Sequence, residues 1–585
     1  MLKPARWSVP DPDPALIQSL RQALSVGAPA ARVLVQRGYS DPESARRFLR
    51  PSIGDLLDPY LLRDMNRAAA RLKLAVDRKE TVLLYGDYDV DGTCSVVILS
   101  KAIELAGGRT RFHIPHRLKE GYGMRAEVVE QAAAEGVGLV VSVDTGIRAI
   151  EVARRAAELG IDVIITDHHL PEEELPVAHA VLNPNRPDCG YPDKNLCGAG
   201  VAFKLVQALL GALNWEPARV RRLEESFLKI VALATVADVV PLQGENRIIV
   251  KHGLAGFRNL RNPGLRALMS VSGFNEGDAP SAGQVAFRVA PRINAAGRMA
   301  HAEDVINLFL TDDQARAQEI AERLHGLNTE RRETEAEIVA AILEECERTP
   351  VTDDQAGLVF CGRNWHRGVL GIVASRLVER FCRPVLVLGE EDGEASGSGR
   401  SIAPFHLLDA LESMKDLFRR FGGHRMAAGL AMSAEGVEEF RRRFNRYAAE
   451  RLTPEDFRPH VEVDAAIDLS EVNDRSVAEV LSLAPFGAGN PFPQFAVFDA
   501  EVAGEPTVFK EKHLRVQLRQ KGRILFLKAW NFAERVQELR PGARVDAIVT
   551  FEEDAYAQAR GYPPWSAQLK DVRLSGAAAP PESST

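Results

Sequence analysis

Cysteine is scarce in this chain and poorly placed for chemistry. Its six cysteines, Cys94, Cys189, Cys197, Cys346, Cys361 and Cys382, are scattered without paired metal-ligand spacing. That argues against a disulfide-stapled secreted scaffold and points to a reduced, cytoplasmic compartment. Long apolar runs are missing too. No uncharged stretch approaches the ~18 residues that span a bilayer, so no membrane segment is expected. Residues 1–7 lack the apolar core of a signal peptide. Nor is there an excess of positive charge. A net charge of −8 would by itself argue against a nucleic-acid partner, although local patches can carry the opposite sign. What is present is ordinary for a globular protein, with 45% hydrophobic and 26% charged residues. At 585 residues the chain exceeds one hydrophobic core and should divide into about three to four domains.

Residues 81–92 organise the rest. Residues 82–85 read as a buried strand, Gly86 ends it, and residues 95–106 read as a helix. Asp87, Asp89 and Asp91 stand between them, each two residues from the next. Extended backbone would put all three carboxylates on one face, at the carboxyl end of the strand, where open α/β sheets bind ligands. Carboxylates so close repel one another until cations neutralise them, and such oxygen ligands suit Mg²⁺ or Mn²⁺. A solvated acidic turn is the plainer reading of this motif alone. The surrounding sequence decides against it. Strand-like runs over 110–114, 139–143, 162–166 and 180–182 alternate with helical runs such as 126–135 and 149–159, predicting a parallel, doubly wound sheet. Gly107, Gly108, Gly136 and Gly160 fall where helix C-terminal caps belong. The third strand runs out at Asp144 and the fourth at Asp167-His168-His169. Asp238 interrupts the apolar stretch 227–241, where a carboxylate is costly to bury unless it is paired or metal-bound. Acids and histidines at three strand tips, with a further acid in apolar sequence, point to a two-metal site.

These residues resemble the DHH phosphoesterase superfamily, named for the Asp-His-His seen here at 167–169, and within it the bacterial single-strand-specific 5′→3′ exonucleases. Blocks at 85–92, 142–146, 197–204, 233–241 and 291–298 follow the order of that branch, and 362–374 and 421–424 resemble the partner domain that follows it. The resemblance covers about residues 30–575. The pyrophosphatase branch has a histidine four residues before its first metal-binding aspartate. Tyr85 stands there instead, which disfavours that branch. Carried over, the resemblance implies a two-lobed α/β enzyme whose lobes are joined by a long helix, with a C-terminal barrel that binds oligonucleotides. It implies metal ligation by Asp89, Asp91, Asp144, His168 and Asp238, with Asp144 bridging two Mn²⁺ or Mg²⁺ ions. His169 is then free to touch the scissile phosphate or to orient one of the ligands, and Asp87 ligates or holds a histidine or a metal-bound water. The implied substrate is single-stranded DNA, since a duplex about 20 Å wide should not enter the groove between the lobes, with a helicase and a single-strand-binding protein as partners.

The remaining candidates follow from local chemistry. In 112–123, Arg117 and Lys119 stand where a phosphate could be clamped, and Gly121 and Gly123 allow close backbone approach. Arg292 and Arg400 are the next candidates for that clamp. The Cys-Gly-Ala-Gly turn at 197–200 could offer backbone N–H groups to phosphate. Residues 311–348 read as one long charged helix, solvent-exposed over 330–337, with Ile320, Leu324, Leu327 and Asn328 on one side. In the second lobe Arg400 and His424 are the candidate nucleotide contacts. Over 510–528 seven basic residues meet one acid, and Leu514, Val516 and Leu518 alternate with Arg515, Gln517 and Arg519. As a strand this is apolar on one face and basic on the other, a track for a nucleic-acid backbone that includes Lys510, Lys512, Arg515 and Arg519. The expected divisions are a helical segment (1–75), a catalytic domain (76–310), a connector helix (311–349), a second α/β domain (350–456), an oligonucleotide-binding barrel (457–572) and a disordered tail (573–585). Two other readings remain: a phosphodiesterase on short oligoribonucleotides or cyclic dinucleotides, which would lack the barrel, and an inactive replication scaffold, which would have lost the ligands.

Overall fold

The computed structural model describes residues 5–117, 119–121 and 123–576. The chain folds as two compact units.

The first unit runs over Leu56–Val240 and Ile249–Arg458. Its first sheet has five parallel strands in the spatial order Arg109–His113, Thr81–Tyr85, Leu139–Val143, Asp162–Thr166, Ala180–Leu182. Strand-forming residues are buried on both faces, as a parallel sheet between helices requires. The chain order reverses beside Thr81–Tyr85, so the crevice at that strand's carboxyl end is the topological switch point where such sheets bind ligands. Gly107, Gly136 and Gly160 take positive φ and close the preceding helices, whereas Gly108 does not.

The connector helix spans Gln314–Arg348, 35 residues. Ile320, Leu324 and Asn328 are buried on it. The expectation that 330–337 faces solvent fails at Glu335, which is wholly buried. Its carboxylate is held by Arg331 at 2.8 Å and by Arg376 of the helix Leu370–Phe381. A buried charge persists where it is paired in this way. Beyond the connector, a mixed sheet of five strands carries the order Phe418–Gly423, Ala427–Ser433, Glu394–Arg400, Val385–Glu391, Leu358–Arg363.

The second unit joins the residues up to Asp55, Pro241–Ile248 and the residues from Pro459 onward. Its centre is a barrel. Strands Phe495–Val502, Arg544–Glu553, Trp565–Leu574, Arg523–Ala529 and His513–Gln520 pair in that sequence, and the last pairs back to the first, closing the ring. The final strand reaches Leu574, inside the expected tail, and residues 577–585 lie outside the described residues. The first helices belong to this unit rather than standing as a separate segment. Leu20, Val33, Leu34 and Phe48 share one core with barrel residues such as Phe495, Leu514 and Val549. Arg37 reaches Asp464 at 2.9 Å, and strand Arg6–Ser8 pairs in parallel with His460–Glu462. Arg247 is buried against the Phe48 ring and donates to the carbonyls of Phe48, Leu483 and Ala484. No helix among the described residues is long and apolar enough to cross a membrane.

Candidate metal centre and phosphate-binding residues

The three aspartates after the first strand are not displayed by an extended pleat. A helix begins at Val90 with Asp89 as its N-cap, and Asp89 Oδ1 accepts the Gly92 N–H at 3.0 Å. Asp91 therefore lies in the first helical turn, and the single carboxylate face expected from period-two geometry is replaced by a tight strand-to-helix turn. The cap prevails because it satisfies an N–H that the helix end leaves open. Gly92 permits the turn, since a Cβ there would stand 2.6 Å from the Asp87 backbone nitrogen and oxygen.

Even so, the carboxylates converge. Asp87, Asp89 and Asp144 bring ligand atoms within 4.8 Å of one another, and so do Asp91, His168 and Asp238. Asp144 also groups with His168 and His169. His168 Nε2 lies 3.2 Å from Asp144 Oδ1, 3.7 Å from Asp238 Oδ2 and 3.8 Å from Asp91 Oδ2. Asp87 Oδ1, His168 Nε2 and Asp238 Oδ2 are buried without a hydrogen-bond partner. Burial, then repulsion from neighbouring aspartates, pushes the carboxyls of Asp87 and Asp144 well above the usual range and that of Asp238 up to about 9. Burial also raises Asp91 and lowers His168. Buried carboxylates around one imidazole, short of counter-charge, form an oxygen-rich donor set that fits one or two hard divalent cations.

Two devices hold this set in place. Asp144 sits in the left-handed region at φ 58°, a conformation that aspartate tolerates better than most residues, with its N–H on the Thr166 carbonyl at 2.9 Å. The Asp91 carboxylate accepts two N–H groups from the start of the helix Gly198–Gly211: Gly198 N–H to Oδ2 at 2.5 Å and Ala199 N–H to Oδ1 at 2.8 Å. The turn at 197–200 thus gives these N–H groups to a carboxylate of the site, where the sequence suggested a phosphate. A Cβ on Gly198 would meet Asp144 Cβ at 2.7 Å and Oδ1 at 2.8 Å, so only glycine fits. Gly198→Ala should therefore weaken Mn²⁺ binding by about tenfold or more, as expected for displacing one ligand by a few tenths of an ångström. Calorimetric Mn²⁺ titration checks this, and unchanged affinity would show that the helix end yields.

The Asp-His-His motif divides its labour. Asp167 is buried, with Oδ1 accepting the N–H groups of His168 (2.7 Å) and His169 (3.1 Å) and Oδ2 accepting that of Ile147 (2.9 Å). Its Oδ1 also meets His169 Nδ1 at 2.7 Å. Burial works against ionisation of Asp167, yet the hydrogen bonds from His169 and these N–H groups hold it below the usual carboxylate range. A carboxylate there fixes the proton of His169 on Nδ1 and leaves Nε2 outward. The His169 side chain is 40% exposed and that of His168 only 14%, so His169 is the one a substrate can reach.

Arginines gather on the same side. Arg117 stacks over the Tyr88 ring at 4.8 Å. Arg298 faces Arg117, Arg331 and Arg400, and burial followed by these like charges pushes its guanidinium down to about 10. Burial and Arg117 also lower Arg400. The sequence reading gave Arg298 no role, because nothing local marks it as half-buried among cations. Arg117, Arg367 and Arg420 line a cleft of about 390 Å³ with Ser396, Ser398 and Phe421. Arg292 points elsewhere, donating to His325 Nδ1 at 3.1 Å and to the Arg288 carbonyl. His424 is exposed in its hairpin, with its N–H on the Ala427 carbonyl at 2.8 Å.

Comparison with known proteins extends over most of the chain. Residues 81–235 match the DHH family, N-terminal domain, 354–450 the DHHA1 domain and 463–562 the RecJ OB domain. The single-stranded-DNA-specific exonuclease RecJ of Bacillus subtilis is 39% identical over 546 residues, covering 93% of this chain and 68% of that one. The chain belongs to the RecJ family. The crystal structure of RecJ from Thermus thermophilus in complex with Mn²⁺ superposes with a TM-score of 0.80 at 33% identity, covering 98% of this chain and 81% of that one. The complex with Mg²⁺ gives a TM-score of 0.75 at 31% identity, covering 98% and 80%.

On the barrel of this RecJ-family chain, the alternation read from sequence holds. In strand His513–Gln520, Leu514, Val516 and Leu518 are buried while Arg515 and Arg519 are exposed. Lys510 and Lys512 are exposed in the preceding turn. Arg519 spends part of its charge on Glu501 at 3.4 Å. The sequence reading missed an apolar component: Ile524 and Phe526, both exposed, stand opposite Arg519 and Gln517 on the next strand. With Tyr562 and Trp565 they line a groove of about 800 Å³ that Arg515 and Lys528 share. Exposed aromatics beside basic side chains are how sequence-tolerant single-strand sites are built.

Proposed function

We propose that this chain is a single-strand-specific 5′→3′ DNA exonuclease that releases nucleoside 5′-monophosphates, acting in DNA repair and recombination. One observation carries the reading: three groups of ligand atoms are linked through Asp144 and His168 beside half-buried arginines, in a chain that also carries a barrel with a basic strand face. Asp89, Asp91, Asp144, His168 and Asp238 would hold two divalent cations, Mn²⁺ or Mg²⁺, with Asp87 at the edge of the set. When bound, such a pair polarises a phosphodiester and makes water more acidic. The chain's own residues supply the rest. His169, oriented by Asp167, presents Nε2 to a phosphate oxygen. Arg117, with Arg298 and Arg400, receives the 5′ end, and Arg292 and His424 remain outer candidates for the strand.

Lys510, Lys512, Arg515 and Arg519 would guide the backbone of a longer strand. Because residues 5–55 share the barrel's core, point substitutions test this better than truncation. Lys512→Ala with Arg515→Ala should leave hydrolysis of short strands at saturation unchanged. It should lower the salt slope of long-strand binding by ~0.7 for each phosphate that the altered barrel no longer neutralises. An unchanged slope would remove these residues from the track.

The domain divisions set out above, amended so that residues 5–55 join the barrel and the barrel extends to Leu574, a cytoplasmic location, and supply of single strands by a helicase and a single-strand-binding protein complete the proposal. A phosphodiesterase for cyclic dinucleotides would not need the barrel, and an inactive scaffold would not need the ligands. The test is a substrate panel of end-labelled single-stranded DNA, duplex DNA, oligoribonucleotide and cyclic dinucleotide, each with Mn²⁺. Mononucleotides released from the 5′ end of the single strand alone are expected. Preferred cleavage of the cyclic dinucleotide or of duplex would overturn the assignment.

A further inference from the structure

Tyr85 ends the first strand of the parallel sheet and is fully buried, two residues before Asp87. Its ring packs against His113, at a centroid distance of 5.0 Å. A buried phenol hydroxyl needs a partner. It finds one 38 residues on, donating to the Gly123 carbonyl at 3.1 Å. Gly123 takes φ 98°, which only glycine adopts without strain, so this carbonyl has a fixed direction.

The segment between these partners carries Arg117. Its first half is closed by Glu120, which accepts the His116 N–H at 2.9 Å and lies 3.5 Å from His113 Nε2. The Glu120 N–H returns to the His116 carbonyl at 2.8 Å. Arg117 thus projects from a turn pinned at one end by Glu120 and, past it, by Tyr85. It leans over the Tyr88 ring, next to the metal-binding aspartates. Like charges on Arg298 and Arg400 push against Arg117 while Asp87 and the Tyr88 ring attract it, so the anchors of its turn decide how close it stays to the aspartates.

We propose that Tyr85 is a positioning residue for end recognition, its buried hydroxyl anchoring the loop that holds Arg117 over the metal-binding edge. The proposal rests on Arg117 as the clamp for a terminal phosphate. Tyr85 touches neither metal nor strand. It acts by keeping the Arg117 turn from rising away from the aspartates, so its loss falls on substrates that use the clamp.

Tyr85→Phe keeps the ring and removes only the hydroxyl. The full-length variant should lose about three- to tenfold in kcat/KM on 5′-phosphorylated single strands, mostly through KM, the scale of one neutral hydrogen bond. Rates on 5′-hydroxyl strands and the Mn²⁺ activation constant should change by less than about twofold on the same scale. Amide exchange over 114–125 should quicken, a readout independent of activity. Arg117→Ala runs alongside. If Arg117→Ala lowers the phosphate-to-hydroxyl rate ratio and Tyr85→Phe does not, the anchor is refuted and the clamp stands. If Arg117→Ala leaves the ratio unchanged, the clamp reading fails and the anchor falls with it. If Tyr85→Phe lowers both substrates equally, or shifts the Mn²⁺ constant, Tyr85 supports the fold or the metal site and the proposal is overturned.

Discussion

Replacing Asp144 with asparagine should lower kcat by ~10³-fold or more, about 4 kcal/mol in the barrier, while raising the melting temperature of the metal-free protein. The two effects share one cause. Asp144 is buried beside Asp91, Asp89, Asp87 and Asp238, and burial followed by their repulsion holds its pKa well above the ordinary carboxylate value. A carboxyl whose pKa is higher folded than unfolded costs stability once the pH exceeds the unfolded value, so at neutral pH the empty site is destabilised by this charge. An amide removes the charge, keeps the size and tolerates the left-handed φ of 58°, which alanine tolerates less well. It cannot serve as the anionic ligand that Asp144 offers both to Asp87 and Asp89 and to the two histidines. Activity within tenfold of the parent at saturating Mn²⁺ would separate Asp144 from the metal centre. A lower melting temperature in chelator would contradict the electrostatic account.

Arg117→Ala should cut the rate on 5′-phosphorylated single strands by roughly ten- to a hundredfold and remove most of the preference over 5′-hydroxyl ends. An exonuclease needs a group that recognises an end, and a terminal monophosphate carries more charge than an internal diester. Charge-assisted hydrogen bonds of a guanidinium to phosphate contribute roughly 1.5–3 kcal/mol each where partly desolvated, and ~1.4 kcal/mol is tenfold. Arg298 and Arg400 face the same place, so part of the attraction survives, which limits the loss. The measurement is the ratio of initial rates on the two substrates. An unchanged ratio moves the clamp to Arg298 or Arg400, and not to Arg292, whose guanidinium is turned to His325.

The catalytic sheet could be read closely from the chain because buried parallel strands leave largely apolar runs, and three of the expected strands keep their limits to the residue. The start of the following helix was misjudged by five residues, from Val90 to Ser95. An Asp at an N-cap and an Asp at a strand tip look alike until the Gly92 N–H is seen. The convergence of these acids and histidines was legible because acids at strand ends are unusual. Arg298, Glu335 and Gly198 were not, since each owes its role to residues distant in sequence. The same holds for the N-terminal helices, whose partners in the barrel core lie more than 400 residues away: Arg37 meets Asp464, and Arg32 meets Glu471. Tyr85 marked only a departure from the pyrophosphatase branch, and its hydroxyl's partner could not be foreseen. On the barrel, charge alternation in one strand was visible, whereas the apolar patch of Ile524 and Phe526 depends on cross-strand register.

Mn²⁺ titration of the full-length protein, followed by electron paramagnetic resonance, addresses the two-metal centre directly. Two ions per chain, with the spectrum of a magnetically coupled pair that collapses in Asp144→Asn, are the predicted result. One isolated ion, or a pair that persists without the Asp144 carboxylate, would contradict it.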